Sequence, residues 1–365
     1  MANDSIGFGI IGAGNIGPFH AEAVTAAEGA HVAYVCDVIA EKAQALAEKH
    51  GVPYTTSLEE MLKRDEVQAV NVCTPSGMHH LHAIAAAEAG KHILCEKPLD
   101  ITLANIDEMI EAAEECGVRM SGVFQYRTME GTLRARDAIR GGKLGKLALG
   151  DCYQKYYRGH DYYASAGWRA TWEWDGGGAL MNQGVHGIDL IQFLMGRLAR
   201  VSAHCRHLTR NIPVEDTAVA ILEWECGALG VLEGTTSISP GSGLVLQVNG
   251  DKGSIGIENG NISSWEIPGE EQAETEGEDT HGDTSSNPLG LKATGHQAHV
   301  EDLCAAIREN RDPVLNGREA RNAVEIIKAI YLSSREGGAT IELPLSYEDD
   351  GPGITPSLGS PRLEW

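Results

Sequence analysis

The sequence predicts an α/β fold, in which a doubly wound parallel sheet is followed by a second α/β domain with a large open, mostly antiparallel sheet. Three observations carry this. The 365 residues exceed what one ordinary core organises. Over residues 6–122, short apolar runs alternate with helical patterns about every 25 residues, the rhythm of strand–helix–strand units. Beyond residue 123 that rhythm stops, and strand-like runs follow one another with no helix between them.

The elements follow in order. "IGFGIIGAG" (6–14) reads as a strand, "PFHAEAVTAAEG" (18–29) as a helix and "AHVAYVCD" (30–37) as a strand. "IAEKAQALAEKHG" (39–51) is a helix with a glycine stop. Next come a helix "SLEEMLKRD", a strand "VQAVNVCTP", a helix "MHHLHAIAAAEAGK" and a strand "HILCEKP". "TLANIDEMIEAAEECG" is a helix and "VRMSGVFQY" the last strand of this part. A helix (131–145), a strand-like run (146–158), a Trp-rich irregular stretch (160–175) and a glycine-flanked helix (177–195) follow. Strands are expected in 201–209, 216–238 and 243–267. Residues 268–288 are acidic, polar and without large apolar side chains, the composition of a mobile loop. Two helices (296–310 and 317–338) and a strand (339–345) close the pattern. The expected division is 1–123, 124–346 and an irregular Gly/Pro-rich tail, 347–365.

Composition excludes some functions. Fifty-two acids against 29 bases give a formal charge of −23, which argues against nucleic acid or an anionic membrane as partner. No apolar run approaches the roughly 20 residues of a membrane span. The N-terminus has no basic region and no signal-like apolar stretch. The eight cysteines are scattered without a C-x-x-C pair, as expected for buried thiols in a reducing compartment. A cytoplasmic location is the expectation.

"GAGNIG" places Gly12, Gly14 and Gly17 between a strand and a helix, with Asn15 and Ile16 inside the loop. Gly12 permits a tight turn, Gly14 lets a pyrophosphate approach the backbone, and Gly17 lets helix and strand pack closely. The phosphates would face N–H groups at a helix N-terminus. Asp37 ends the second strand, 20 residues past Gly17. Its carboxylate suits the ribose hydroxyls of NAD and repels the 2′-phosphate of NADP, and no arginine directly follows it. NAD is therefore expected, with NADP as the alternative. Thr74, Pro75 and His79 in "CTPSGMHH" fall at the same carboxyl edge and are cofactor-side candidates.

"LCEKPL" (94–99) puts Glu96 and Lys97 at that edge too. Glu96 can hold an ammonium in place, and Pro98 stiffens the turn. A lysine beside a positive nicotinamide is repelled and partly desolvated, which lowers its pKa toward that of a general base or acid. In "GGGALMNQGVHGIDLIQFLMG" (176–196), Asn182, His186, Asp189 and Phe193 fall on one helical face. Gly184 and Gly187 interrupt that helix, which suggests a close approach to its backbone, by a ligand more readily than by a core. His186 is a catalytic candidate. Asp189 either contacts substrate or orients His186. One histidine with two oxygen side chains is a thin metal set, so no metal is expected. Tyr162, Tyr163, Trp168, Arg169, Trp172 and Trp174 form an aromatic cluster in a chain only 5% aromatic, suited to the C–H faces and hydroxyls of a sugar or cyclitol. Gln125, Tyr126 and Arg127 are expected to face the same cleft.

In order and spacing, "GAGNIG", "CEKP" and "GGGALMNQGVHGID" resemble the three signatures of the glucose–fructose oxidoreductase / inositol dehydrogenase / rhizopine-catabolism (Gfo/Idh/MocA) oxidoreductases. The resemblance covers about residues 5–346. It implies an N-terminal Rossmann NAD(P)-binding domain and a C-terminal domain whose open sheet forms a homodimer or homotetramer. It implies hydride transfer at a hydroxyl carbon of a sugar, inositol or related pyranoside, with Lys97 and His186 flanking the reacting hydroxyl. Tyr126, Arg127, Tyr163, Trp168, Arg169, Asn182 and Asp189 are the candidate substrate contacts. Many members have an aspartate four residues before the histidine; this chain has Asn182. Three rivals stand beside this reading: redox-neutral elimination through a transient keto intermediate, reduction of a keto-sugar, and a non-catalytic cofactor-binding regulator.

Overall fold

The computed structural model describes residues 5–270, 285–286 and 294–346. Most of the acidic loop expected at 268–288 and the whole tail 347–365 lie outside the described residues. The chain forms two compact units, Met1–Gln125 with Lys292–Arg321 and Tyr126–Leu291 with Asn322–Trp365.

The first unit begins β1 (Ile6–Ile11), α1 (Gly17–Ala26), β2 (Ala30–Cys36), α2 (Ala40–His50), β3 (Tyr54–Thr55) and α3 (Leu58–Leu62). It continues β4 (Ala69–Val72), α4 (His79–Glu88), β5 (His92–Cys95), α5 (Leu103–Glu115) and β6 (Met120–Gly122). The strands form one parallel sheet ordered β3-β2-β1-β4-β5-β6. Every residue of β1 is buried, as helices covering both faces require. The order reverses direction at β1, so the carboxyl ends of β1 and β4 flank the switch point where such sheets take ligands. The expected strand 118–126 narrows to β6, and the chain then makes a 3₁₀ turn over Gln125–Thr128.

The second unit holds α6 (Glu130–Arg140), β7 (Leu147–Lys155), α7 (His160–Ala164) and α8 (Val185–Met195). The strands β8 (Leu198–Arg206), β9 (Thr217–Trp224), β10 (Leu229–Thr235), β11 (Gly243–Gly250), β12 (Ser254–Glu258) and β13 (Asn261–Glu266) follow. Late in the chain come α9 (Thr294–Glu309), α10 (Gly317–Arg335) and β14 (Ile341–Glu342). The sheet order is β13-β12-β11-β7-β10-β9-β8-β14, and only the β10–β7 pair among these is parallel. Burial alternates along β9, with Ala218, Ala220, Leu222 and Trp224 inward and Val219 and Ile221 exposed.

One assignment differs from the sequence reading. The expected boundary at 123 puts both late helices in the second domain, yet α9 belongs to the first unit and α10 begins there. The cause is packing: Val300, Leu303 and Cys304 of α9 share one core with Val24 of α1 and Ala27 just after it. An apolar stripe marks α9 as amphipathic, but periodicity does not say which sheet it covers. Among the described residues, no helix is long and apolar enough to cross a membrane. Six cysteines are buried, and Cys116 and Cys226 are exposed.

Candidate active site

The glycine loop is built as its spacing implies. Gly12 adopts φ +98°, and a Cβ there would stand 2.8 Å from the Cys73 carbonyl oxygen. A Cβ on Gly17 would stand 2.1 Å from the Gly12 carbonyl oxygen, so neither position admits a side chain. At Gly14 nothing lies within 4 Å of where a Cβ would be. That open backbone, beside Asn15 and Ile16 at the start of α1, is the cradle a pyrophosphate needs. Asp37 Oδ2 accepts the Ala13 N–H at 2.7 Å and Oδ1 accepts the Ile39 N–H at 2.8 Å. The carboxylate is thereby fixed at the end of β2, with lone pairs left for ribose hydroxyls. These residues fit a nicotinamide dinucleotide.

Around β5 the structure differs from expectation in two ways. His79 was expected on the cofactor side; its imidazole instead bridges backbone, Nδ1 lying 2.9 Å from the Pro98 carbonyl oxygen and Nε2 2.9 Å from that of Thr74. It staples the loop after β4, with Thr74 and Pro75, to the turn that carries Lys97. The Lys97–Pro98 peptide is cis. Glu96, expected to face the cofactor and hold the lysine ammonium, turns inward. Its Oε1 accepts from His20 Nε2 at 2.7 Å and His296 Nε2 at 3.2 Å, and its Oε2 accepts the Lys97 backbone N–H at 3.0 Å. Burial alone would push the Glu96 carboxyl up, but the two imidazole hydrogen bonds hold it well below the usual carboxylate range. Burial lowers the His20 pKa, against the opposing pull of Glu96. Lys97 itself is half-buried at the end of the strand.

In the second unit, the segment before α8 is a π-helical turn, Ala179–Gly184, not α-helix. The helical face drawn from Asn182 to Phe193 is therefore broken at its start. Asn182 Nδ2 donates to Asp175 Oδ1 at 2.9 Å, and Gln183 Nε2 donates to Asn182 Oδ1 at 3.0 Å and to the Tyr162 hydroxyl at 2.9 Å. Arg169 Nη1 donates to the same hydroxyl at 2.7 Å, and its guanidinium lies 4.7 Å from the Trp168 ring centroid. Burial raises the Tyr162 pKa, so the hydroxyl stays neutral. The Tyr163 hydroxyl is tied to Thr236 at 2.7 Å.

Arg127 and Asp189, both expected to contact substrate, make a buried bidentate ion pair of 2.8 and 2.7 Å, with Arg127 also over the Phe193 ring. The Asp189 carboxylate thus fixes the Arg127 guanidinium. His186 packs edge-on to Tyr126, centroids 5.7 Å apart. The close approach announced by Gly184 and Gly187 comes from protein: Gln154 of β7 donates to the Gly184 carbonyl at 2.9 Å and accepts the Gly187 N–H at 3.1 Å. Trp172 packs against Tyr331 and donates to the Pro213 carbonyl oxygen, a packing role.

Sequence reasoning missed four residues of this machinery. Asp175 brings a carboxylate to Asn182; its one sequence signal was an acid directly before the glycine run. Glu215 accepts the Gly178 and Leu180 N–H groups and the Tyr331 hydroxyl, at 2.9, 2.9 and 2.8 Å. It anchors the π-turn, and burial pushes its carboxyl up to about 7. His20 and His296 complete the Glu96 cluster and carried no sequence signal at all.

Comparison with known proteins identifies the family. The profile described as "Oxidoreductase family, NAD-binding Rossmann fold" matches residues 6–124, and that of its "C-terminal alpha/beta domain" matches residues 136–343. The myo-inositol 2-dehydrogenase of Thermotoga maritima is 29% identical over 259 residues, covering 69% of this chain and 75% of that protein. The 2,7-anhydro-N-acetylneuraminate hydratase of Mediterraneibacter gnavus is 28% identical, covering 60% of this chain and 61% of that one. The WlbA dehydrogenase of Bordetella pertussis, solved with NADH and UDP-GlcNAcA, superposes with a TM-score of 0.84 at 31% identity, covering 95% of this chain and 100% of that one. Both halves of the chain are matched, and the glycine loop and Asp37 stand where a dinucleotide requires them: the chain belongs to the Gfo/Idh/MocA oxidoreductase family and carries its NAD-binding Rossmann domain.

Proposed function

We propose that this protein is an NAD(P)-dependent dehydrogenase or reductase acting on a hydroxyl or keto carbon of a sugar, glycoside or cyclitol. The observation that carries the reading is the linked polar row of the second unit. Gln183, Asn182, Asp175, Tyr162 and Arg169 are held in register by hydrogen bonds of 2.7–3.0 Å beside Trp168. Fixed donors and acceptors next to an aromatic face suit a ring with several hydroxyls. Asp37 favours NAD, because a second negative group at that ribose would be repelled.

The nicotinamide, when bound, supplies the hydride acceptor. The chain supplies the proton chemistry. Lys97 or His186, whichever is uncharged, accepts the single hydrogen bond that the reacting hydroxyl can donate and takes its proton. Asn182 is an amide and takes no proton. Its N–H is donated to Asp175, so a carboxylate remains hydrogen-bonded to that position although the side chain there is not acidic. The outer face of the second sheet, with exposed Leu149, Val219, Ile221 and Leu229, joins copies into a homodimer or homotetramer.

The test is a panel of cyclitols, aldoses, glycosides and sugar nucleotides with NAD⁺ and NADP⁺, following absorbance of the reduced cofactor. Reduction of NAD⁺ by at least one polyhydroxylated ring is expected; no reduction by any of them contradicts the reading. The hydratase relative favours one second reading, in which the cofactor is oxidised and reduced within one turnover. Product formation without accumulation of NADH would select it.

A further inference from the structure

We propose that His20 and His296 are positioning residues for Lys97 and act on it through the carboxylate of Glu96. The inference rests on the reading of Lys97 as a proton-handling group. All these residues lie in the first unit, on α1, on α9 and at the end of β5. His20, Glu96 and His296 are 0%, 5% and 2% exposed. Glu96 uses both oxygens: Oε1 takes the two imidazole Nε2 atoms at 2.7 and 3.2 Å, and Oε2 takes the Lys97 backbone N–H at 3.0 Å. The carboxylate therefore ties the peptide of the lysine to two helices. His20 Nδ1 in turn faces Asn71 Nδ2 at 2.9 Å. An amide N–H donating to Nδ1 leaves the ring proton on Nε2, aimed at Glu96. The two imidazoles meet edge to face, 5.0 Å apart.

The same three side chains are of types that bind metals, and their donor atoms lie within 4.8 Å of one another. The spacing argues otherwise. Ligands on a tetrahedral ion at about 2.0–2.1 Å stand roughly 3.3 Å apart, whereas His20 Nε2 and Glu96 Oε1 are 2.7 Å apart, the distance of a charge-assisted hydrogen bond. Removing one imidazole N–H leaves a buried carboxylate short of a donor and loosens its hold on the Lys97 peptide. A displacement of that peptide moves the lysine nitrogen off the reacting hydroxyl, where small misplacements are costly.

Three measurements test this. In the wild-type protein, nitrogen-15 NMR of the histidine side chains should show Nε2-bound protons on His20 and on His296. A proton on Nδ1 of either ring, or one equivalent of metal retained through purification, overturns the proposal. With the panel sugar that reduces NAD⁺ fastest, His296→Ala should lower kcat roughly 10- to 100-fold. KM for NAD⁺ and for the sugar should stay unchanged, and His296→Gln, which keeps an N–H donor, should recover most of the loss. Unchanged kcat in His296→Ala, or a loss confined to NAD⁺ affinity, overturns it. Lys97→Ala separates the two claims: if it is inactive while His296→Ala is not impaired, only this inference fails, and if it turns over normally, the role given to Lys97 fails first.

Discussion

Glu215 is a buried carboxylate that accepts from two peptide N–H groups and one tyrosine hydroxyl, and among the described residues it has no ion pair. Tyr163, Cys205 and Tyr331 are the titratable groups it acts on, and none is a cation. Burial therefore dominates and raises its carboxyl from the ordinary 4.5 to about 7. Between those values the folded protein holds a proton that the unfolded chain has released, so folding stability falls as pH rises through that window. The total is on the order of 3 kcal/mol, and the curve is flat above it. Denaturant unfolding at pH 5 and pH 8 should show the wild type losing about that much relative to Glu215→Gln; parallel losses in both proteins contradict it. Nothing in the sequence marked this residue. Asp37 and Lys97 stood out in the sequence because each follows an apolar run, and both lie just past a strand of the parallel sheet. Glu215 and His296 were not, because their partners are remote in sequence: 116 residues separate Glu215 from Tyr331, and 200 separate Glu96 from His296.

The helix α8 shows how far periodicity reads. Its apolar content and the two glycines near its start were visible in the sequence, and so was the implication that something approaches its backbone. The partner was not: Gln154 sits on a strand of alternating pattern, and its inward direction follows only from the register of β7 against β10 and β11. A Cβ on Gly187 would lie 2.5 Å from Gln154 Cδ and 2.6 Å from Leu244 Cδ1. Gly187→Ala is therefore expected to destabilise by about 1–3 kcal/mol. The cost should shrink in a Gln154→Ala background, since the two sites share one contact. Chemical denaturation of the four proteins of this cycle measures it, and strict additivity would show that the contact is not the cause. The π-turn before α8 was equally hidden, because Asn182 and His186 have helical spacing whether or not the ladder is regular.

Taken together, the strand–helix alternation, the parallel first sheet and the mixed second sheet were all legible, because binary pattern and element order leave few topologies. The return of α9 to the first unit was not, for its apolar stripe fits either sheet. The sheet of the second unit carries Leu149 opposite Leu229 and Ile221 opposite Val231 on its outer face. Light scattering should give two or four times the mass of one chain, and Ile221→Arg should shift it toward one; a monomeric wild type contradicts the assembly. The most direct test of hydride transfer with Lys97 handling the proton is the burst of reduced-cofactor absorbance when NAD⁺-loaded protein meets its panel sugar, with wild type and Lys97→Ala compared in a single turnover. A burst is expected in the wild type and, in the variant, a rate lower by about 10²- to 10⁴-fold with NAD⁺ still bound; equal bursts in the two proteins would contradict a proton-handling role for Lys97.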